Sequence, residues 1–281
     1  MMKETVLEGK KNGMTVLVFT FFGLLAAIAI TVVGGITDLP AVIAIGVVWL
    51  SLGWIPFVGL KVLKPQEALV LTLFGKYIGT LKGEGFYFVN PFAVAVNPAA
   101  ATKLNQSGDV KSQMHLSTGD KEGAVTLELP TKKMSLKMMT LNNNRQKIND
   151  CLGNPVEIGI AVIWRIVDTA KAAFNVDNYK EFLSLQCDSA LRNIVRIYPY
   201  DVAPNVDTTG DGIADEGSLR GSSEVVAERI RAEIQTKVES AGLEIVEARI
   251  TYLAYAPEIA AVMLQRQQAS AIIDARKMIV D

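Results

Sequence analysis

The sequence predicts an α+β membrane protein: a transmembrane helical hairpin, then a soluble part of strands and helices, then one long helix. Three observations predict this order. Residues 13–36 and 39–60 carry no charged side chain. Apolar residues alternate with other residues from 156 to 166, which is the period of a half-buried strand. From Pro257 to the last residue, a helical pattern runs with no further Gly or Pro to interrupt it.

The two uncharged stretches are each long enough to cross a bilayer, since about 20 helical residues do so. Only a short polar link and Pro40 separate them, so residues 13–60 are predicted to form a helical hairpin in the membrane. A signal peptide would have a shorter apolar run and would not lead directly into a second one. A buried hairpin in a globular core would rarely run this long without a charge. Whether the hairpin crosses the bilayer or re-enters on one side stays open.

Basic residues flank both outer ends of the hairpin, whereas the link carries only the acidic Asp38. They are Lys3, Lys10, Lys11, Lys61 and Lys64. Positively charged flanks stay in the cytoplasm, so residues 1–12 and 61–281 are both expected there. Trp49 and Trp54 lie towards the cytoplasmic end of the second span. Together with Lys61 and Lys64 they are predicted to anchor the hairpin at the membrane interface.

Composition excludes some partners. The chain has 28 basic and 29 acidic residues and lacks a basic patch with interleaved aromatic residues, so nucleic acid is not indicated. The two cysteines, Cys151 and Cys187, are far apart and form no Cys-x-x-Cys motif. Buried free thiols in a reducing compartment are the default expectation.

A glycine-rich stretch, "LFGKYIGTLKGEGFYFVNPF", runs from residue 73 to 92. It does not match a phosphate-binding loop, because Tyr77 stands where a hydroxyl-bearing Ser or Thr is needed, and Val70 where a glycine is needed. A dinucleotide-binding pattern would start at Gly83 and Gly85 but fails at Phe88. Short β-prone runs flank each glycine, so the stretch is predicted to be strands joined by tight turns.

The soluble part is predicted to divide into three regions: a β-rich region at 61–166, an α/β region at 167–256 and a long helix at 257–281. A half-buried strand ends the first region. Its inward positions are Val156, Ile158, Ile160, Val162, Trp164 and Ile166. Two amphipathic helices and a strand form the second region, with Ser222 or Ser223 capping one helix and Gly242 following its end.

This layout resembles the SPFH family, which includes stomatin, prohibitin and flotillin. The blocks that carry the resemblance are "VLKPQEALVLTLFGKYIGTLKGEGFYFVNPF", "NDCLGNPVEIGIAVIWRIVDTAKAAFNVDNY", "ALRNIVRIYPYD", "SLRGSSEV" and "GLEIVEARITYLAYAPEIAAVMLQRQQA". They cover roughly residues 61 to 281, and their order is more specific than any single block. The segment 99–130 and an Asp-rich insert depart from the family pattern.

The resemblance implies a function as well as a fold. It implies a non-enzymatic scaffold of a bacterial stomatin-like branch, resident in the bacterial inner (plasma) membrane. Many copies would pack side by side into a ring that organises a lipid microdomain. In addition to the microdomain or in its place, the ring would organise partner membrane proteins such as proteases.

Catalytic groups are sparse in the sequence. The one histidine, His115, lies in a polar stretch, where a surface or turn position is the ordinary interpretation. A Cys151–His115 dyad is conceivable by count. However, Cys151 follows Asp150 in a turn-like stretch, and a turn does not lower a thiol pKa as a helix N-terminus does.

The insert "DTTGDGIADEGS" has the spacing of a calcium loop. Asp207, Asp211 and Asp215 stand at alternate ligand positions, and Gly212 stands where such a loop must turn sharply. Thr209 and Ser218 occupy two positions where carboxylates are expected. The alternative is a solvated acidic loop without a metal.

The last helix carries a seam with alternating steps of three and four residues, as in a coiled coil. The seam consists of Ile259, Val262, Arg266, Ala269, Ile273, Arg276 and Val280. Apolar residues also lie on the other faces of the helix, which predicts neighbours on two sides and hence oligomerisation.

Two functions therefore stay open at this point. The first is an oligomeric membrane scaffold without cofactors. The second is a monomeric membrane-anchored hydrolase or calcium-responsive regulator. A long self-associating helix favours the first, whereas a pocket with converging titratable groups would favour the second.

Overall fold

The structure is a computed structural model that describes residues 3–7, 11–102, 104, 111–116, 125–201 and 217–280. The chain divides into two compact units. The first unit comprises Met1–Ala101, Asp109–Lys137 and Ile166–Asn178, and the second comprises Thr102–Gly108, Met138–Arg165 and Tyr179–Asp281. Each unit is described by itself.

The first unit begins with a helical hairpin, as predicted. Helix α1 spans Gly13–Ile36 and helix α2 spans Pro40–Leu52, with a proline in its first turn. A short helix α3, Ile55–Val58, follows α2 almost at once. By length and composition, Gly13–Ile36 and Pro40–Val58 could each cross a membrane. Both segments are strongly apolar, and very little of either is buried against the rest of the described residues.

Short antiparallel strands make up the rest of the first unit. Their bounds are β1 Leu60–Leu63, β2 Glu67–Leu73, β3 Lys76–Lys82, β4 Gly85–Phe88, β5 Val94–Val96, β6 Lys111–Leu116, β7 Val125–Pro130 and β8 Met134–Ser135. Strand β2 is central in its sheet and pairs with β3, β5 and β8. Strands β1 and β4 form a second pair, and β6 and β7 form a third. A core of Leu63, Leu69, Leu71, Leu81 and Tyr87 lies between these strands.

The glycine-rich stretch consists of strands joined by turns, which confirms that prediction. Gly75 (φ +81°) lies in the turn between β2 and β3, and Gly83 (φ +94°) lies between β3 and β4. Both residues adopt backbone angles that favour glycine over any other residue. The glycines therefore serve turn geometry.

The amino-terminal residues bind the free edge of β3. The backbone N–H of Thr80 donates to Thr5 O at 2.9 Å, and the N–H of Leu7 donates to Thr80 O at 2.9 Å. The Leu7 side chain packs against the core of the first unit. It occupies the space beside Gly79, where a Cβ would lie only 2.5 Å from Leu7 Cγ. Helix α4, Thr169–Phe174, also belongs to this unit and begins at the N-cap Asp168.

The second unit is a four-stranded sheet packed against two helices. The strands are β9 Met139–Asn142, β10 Gln146–Asn149, β11 Pro155–Ile166 and β12 Leu243–Tyr255. Helix α5 spans Tyr179–Val195, and helix α6 spans Ser223–Val238. Strand β11 pairs with β9 and β10 along one edge and with β12 along the other. The six inward positions predicted on β11 are at most 3% exposed, which confirms its alternating pattern.

Some local predictions differ from the structure. Ser222 is the N-cap residue of α6, but its side chain makes no capping hydrogen bond. A 3-10 turn at Glu239–Ala241 precedes Gly242, which ends the helical segment with φ +70°. The buried face of α5 is formed by Leu183, Cys187, Ala190, Leu191, Ile194 and Val195. Leu185 on the same helix is 64% exposed.

Helix α7, Pro257–Val280, follows β12 without a loop. The backbone N–H of Ala256 donates to Pro155 O at 2.9 Å, so the start of the helix is fixed to the sheet of its own unit. The predicted division into regions at 166/167 differs from the division of the structure into two compact units. Strands β9–β11 lie with β12 in the second unit because they are paired in one sheet.

Candidate functional site

The surfaces that stand out are two sets of exposed apolar side chains, one on the helical hairpin and one on helix α7. On the hairpin, Phe19, Phe22 and Ile36 are 75%, 63% and 78% exposed. Water-soluble proteins rarely expose contiguous apolar surface of this extent. The chemistry of the hairpin surface is that of a lipid-facing helix pair.

Small residues bring the two hairpin helices together. A Cβ on Gly34 would lie 2.9 Å from the backbone nitrogen of Ile43, and a Cβ on Gly46 would lie 3.2 Å from Thr31 Cα. Ala27 is 1% exposed on the same face of α1. Glycine and alanine at a helix interface allow close backbone approach, which is how helices associate in lipid.

An apolar groove of about 740 Å³ opens between the helices near the strand end of the hairpin. Val16, Phe19, Val48, Trp49, Pro56 and Phe88 are among its lining residues. The lining is almost entirely hydrocarbon, so the groove offers volume to an apolar chain and little to a polar substrate.

The predicted anchor residues lie where the hairpin meets the first strands. Trp49 and Trp54 are 59% and 64% exposed, and the Trp54 ring lies 5.7 Å from the Phe57 ring. Lys64 is exposed, whereas Lys61 on β1 is only partly exposed. This combination of aromatic and basic residues is typical of a membrane interface.

A buried carboxylate, Glu67, follows this anchor region directly. It accepts a hydrogen bond from Lys133 Nζ at 2.9 Å and another from the backbone N–H of Lys64 at 3.1 Å. Burial by itself raises the pKa of Glu67. The two hydrogen bonds and the charges of Lys133 and Lys64 outweigh burial, so the pKa lies below its ordinary value.

Helix α7 exposes apolar side chains on several faces, as judged from the side chains that the structure describes. Val262, Leu264, Ile272 and Ile273 are 63%, 56%, 56% and 56% exposed. Among the other predicted seam positions, Arg266, Ala269 and Arg276 are exposed and Ile259 is partly buried. The side chain of Val280 lies outside the described residues.

Neither cysteine thiol is suited to act as a nucleophile. Cys151 is exposed, so the expectation of a buried thiol is wrong at that position. It lies in the turn after β10, where the Asp150 carboxylate accepts hydrogen bonds from the backbone N–H groups that shape the turn. Partial burial and the negative charge of Asp150 raise the pKa of Cys151, which disfavours a thiolate. Cys187 is buried, and burial raises its pKa to about 12.

The remaining predicted site residues have different outcomes. His115 lies on β6 opposite Thr126 in the β6–β7 pair. Asp207, Asp211 and Asp215 lie outside the described residues, so the calcium loop stays a prediction. Within the described part of the chain, no group of three His, Cys, Asp or Glu side chains could hold a metal ion.

The sequence analysis did not find the cluster that holds the amino terminus. Glu4 Oε2 lies 2.7 Å from Lys82 Nζ, and Glu4 Oε1 accepts from the Thr169 backbone N–H at 3.1 Å and from its hydroxyl. The Thr169 hydroxyl also lies 3.0 Å from the Thr80 hydroxyl. Contacts between residues this far apart in sequence leave no local pattern.

A family model described as "SPFH domain / Band 7 family" matches residues 61–278, which is most of the chain outside the hairpin. No curated protein matches the chain.

Proposed function

Because the chain belongs to the SPFH domain / Band 7 family, we propose that it is a membrane-anchored scaffold whose copies assemble into a closed ring. Proteins of this family generally associate with membranes, oligomerise and act as scaffolds, and they are typically not enzymes. The finer proposal for this chain is a ring that organises a lipid microdomain or partner membrane proteins such as proteases.

The hairpin supports the membrane part of the proposal. Little of either helix is buried, and their outward faces are apolar along their length. A protein that kept this surface in water would aggregate. Burying it in a bilayer removes the apolar surface from water, which is strongly favourable.

The amino-terminal contacts support a hairpin topology with both ends on one side of the membrane. Residues before α1 pair with β3, which follows α2 and α3. A chain that crossed the bilayer only once could not bring these residues together. The basic flanks of the hairpin favour the cytoplasmic side, and the bacterial inner membrane is inferred from the resemblance of the sequence.

The single observation that carries the assembly proposal is the exposed apolar circumference of α7. Its 24 residues extend about 36 Å. A helix that is apolar on several faces needs neighbours on more than one side. Side-by-side copies supply them, because each helix then contacts the one before and the one after, and such a heterologous contact closes into a ring.

Charged residues of α7 and its base could set the register between copies. Glu258 forms a 2.6 Å ion pair with Lys147 of the same chain, but its side chain is 63% exposed. Arg266 and Arg276 lie further along the helix and are also exposed. In the proposed ring, these arginines lie beside Glu258 or Asp274 of the adjacent copy.

Substitutions on α7 test the assembly. Val262→Asp with Ile273→Asp places two charges on the predicted seam, where both side chains are exposed. The double variant is expected to convert the large detergent-extracted particle to small species, as is deletion of residues 257–281. Gln265→Asp with Gln268→Asp is the matched control, because both glutamines are exposed on the same helix and are already polar.

Sizing of all four proteins gives the answer. If the charged pair at 262 and 273 leaves the particle as large as the control pair does, α7 is not the assembly element. Labelling of a cysteine near Asp38 tests the topology separately. An impermeant reagent should reach it from outside if the hairpin crosses, whereas labelling of positions beyond residue 61 from outside would overturn the orientation.

A further inference from the structure

A phenylalanine occupies a turn position that strongly disfavours it. Strands β2 and β3 are joined by the two residues Phe74 and Gly75, with φ angles of +48° and +81°. Two-residue hairpin turns with both φ angles positive favour Asn-Gly or Asp-Gly. A bulky aromatic residue in the left-handed region is a genuine outlier, and such strain clusters at functional positions.

The side chain of Phe74 contributes little to the core of its unit. It is 88% exposed and stacks on Phe92, which is itself 62% exposed. The two ring centroids lie 6.5 Å apart with an interplanar angle of 23°. The turn thus presents a pair of aromatic rings to the outside.

The pair lies near the end of the hairpin that leads into the first strand. Thr72 and Val94 are paired in the β2–β5 ladder, which places Phe74 and Phe92 just beyond the end of that ladder. The backbone N–H of Val89 donates to Gly59 O at 2.9 Å, and Gly59 directly follows α3. Phe92 is three residues from Val89, so it lies within about 11 Å of that contact.

We propose that Phe74 and Phe92 form an aromatic wedge that inserts into the bilayer surface, at the boundary between headgroups and acyl chains. Aromatic side chains favour that depth. Lys76 is exposed two residues beyond Phe74 and suits the phosphate of a headgroup. The wedge gives the strand region a second membrane contact beside the hairpin, and it rests on the proposed membrane anchoring.

Fluorescent probes at single exposed cysteines test the wedge, because the remaining Cys187 is buried. In the full chain carrying Cys151→Ser, an NBD probe is attached at Phe74→Cys or Phe92→Cys, and the protein is reconstituted into phosphatidylcholine–phosphatidylglycerol vesicles. Spin-labelled lipid with the label near the headgroup end of the acyl chain is expected to reduce emission at both positions by at least about twofold. Aqueous iodide is expected to have little effect there.

Two further probe positions separate the possible outcomes. Phe19, exposed on α1, reports the hairpin in the bilayer. Leu185 is 64% exposed on α5 near Glu181 and Asp188, and its probe should respond to iodide. Lipid quenching at 19 without quenching at 74 and 92 overturns the wedge and leaves the anchoring intact. Loss of quenching at 19 as well overturns the anchoring itself.

A neighbouring copy is the competing occupant. Protection of positions 74 and 92 from both quenchers, lost when the ring is dissociated by the α7 double variant, would assign the rings to a contact between copies and overturn the wedge. Phe74→Asn supplies a second test. It relieves the turn strain, so thermal stability should rise while lipid quenching of the probe at 92 falls. Unchanged quenching in Phe74→Asn would contradict the proposal.

Discussion

The packing of the hairpin makes a prediction that adjacent glycines can test. Gly34 and Gly35 lie next to each other in α1, but only Gly34 is buried. A Cβ on Gly34 would lie 2.9 Å from Ile43 N, 3.0 Å from Ile43 Cγ1 and 3.1 Å from Val42 Cγ1. A Cβ on Gly35 would have no neighbour within 4 Å among the atoms of the described residues.

The magnitude follows from the difference between the two alanine variants. Gly→Ala raises helix propensity by up to about 1 kcal/mol at either position. At Gly34 the added methyl overlaps backbone of α2, and overpacking of this kind costs about 1–3 kcal/mol. The propensity effects nearly cancel in the comparison, so Gly34→Ala should be less stable than Gly35→Ala by about 1–3 kcal/mol.

The assay is reversible unfolding of the micellar protein by SDS. Tryptophan emission is a suitable signal because Trp49 Nε1 lies 3.6 Å from where a Cβ on Gly23 would be, at the contact between the helices. Gly34→Ala should unfold at a lower SDS fraction than wild type, and Gly35→Ala at the same or a higher one. Equal midpoints for the two variants would refute the close contact between α1 and α2.

Three further predictions concern titratable groups. The pKa of Glu67 is lowered in the folded protein, so the stabilising effect of its carboxylate is present above about pH 4.5 and is lost as pH falls through the folded pKa. Lys133→Met should therefore make the melting temperature fall less steeply as the pH is lowered. An unchanged fall would contradict the pairing of Glu67 with Lys133. A thiol reagent should modify Cys151 alone in the native protein and Cys187 as well after denaturation, since only the first is exposed; two reactive thiols before denaturation would be inconsistent with the fold. Burial, with the nearby Asp201 and Asp150 charges, raises the pKa of Tyr255 to about 12, so the stability of the folded protein should fall between about pH 10 and 12. Tyr255→Phe should remove part of that fall and part of the ultraviolet titration above pH 11. The absence of either change would count against this environment of Tyr255.

Periodic patterns account for the elements that the sequence predicted well. Strand β11 was predictable because it has one buried face, and a period of two residues marks that face directly. The hairpin was predictable because lipid requires long uncharged helices. In α5, by contrast, apolar residues occur on more than one face, so the pattern alone does not separate the buried Leu183 from Leu185, which is 64% exposed.

Contacts between distant residues account for what the sequence did not predict. The pairing of Thr5 and Leu7 with Thr80 depends on hydrogen bonds from the backbone, which any residue can make. Cys151 was expected to be buried because free cysteines usually are, but it lies in an exposed turn that the buried Asp150 shapes. The turn pattern around Asp150 was present in the sequence and would have indicated exposure.

The strained Phe74 illustrates a second limit. The two-residue turn between β2 and β3 was predictable from Gly75, but the sequence preference of such turns would place Asn or Asp before the glycine. A residue that breaks a local rule carries information about function rather than about fold. That information becomes visible only when the exposure of the ring and its place beside the hairpin are known.

The mass of the protein particle extracted from the membrane tests the central proposal most directly. The full chain, extracted from the membrane in native lipid nanodiscs, can be weighed by mass photometry, with one chain contributing 30.4 kDa. A closed ring predicts one dominant large species whose protein mass is a fixed multiple of the chain mass and does not change on dilution. A particle that contains a single chain, or a broad series that shrinks on dilution, would contradict the scaffold.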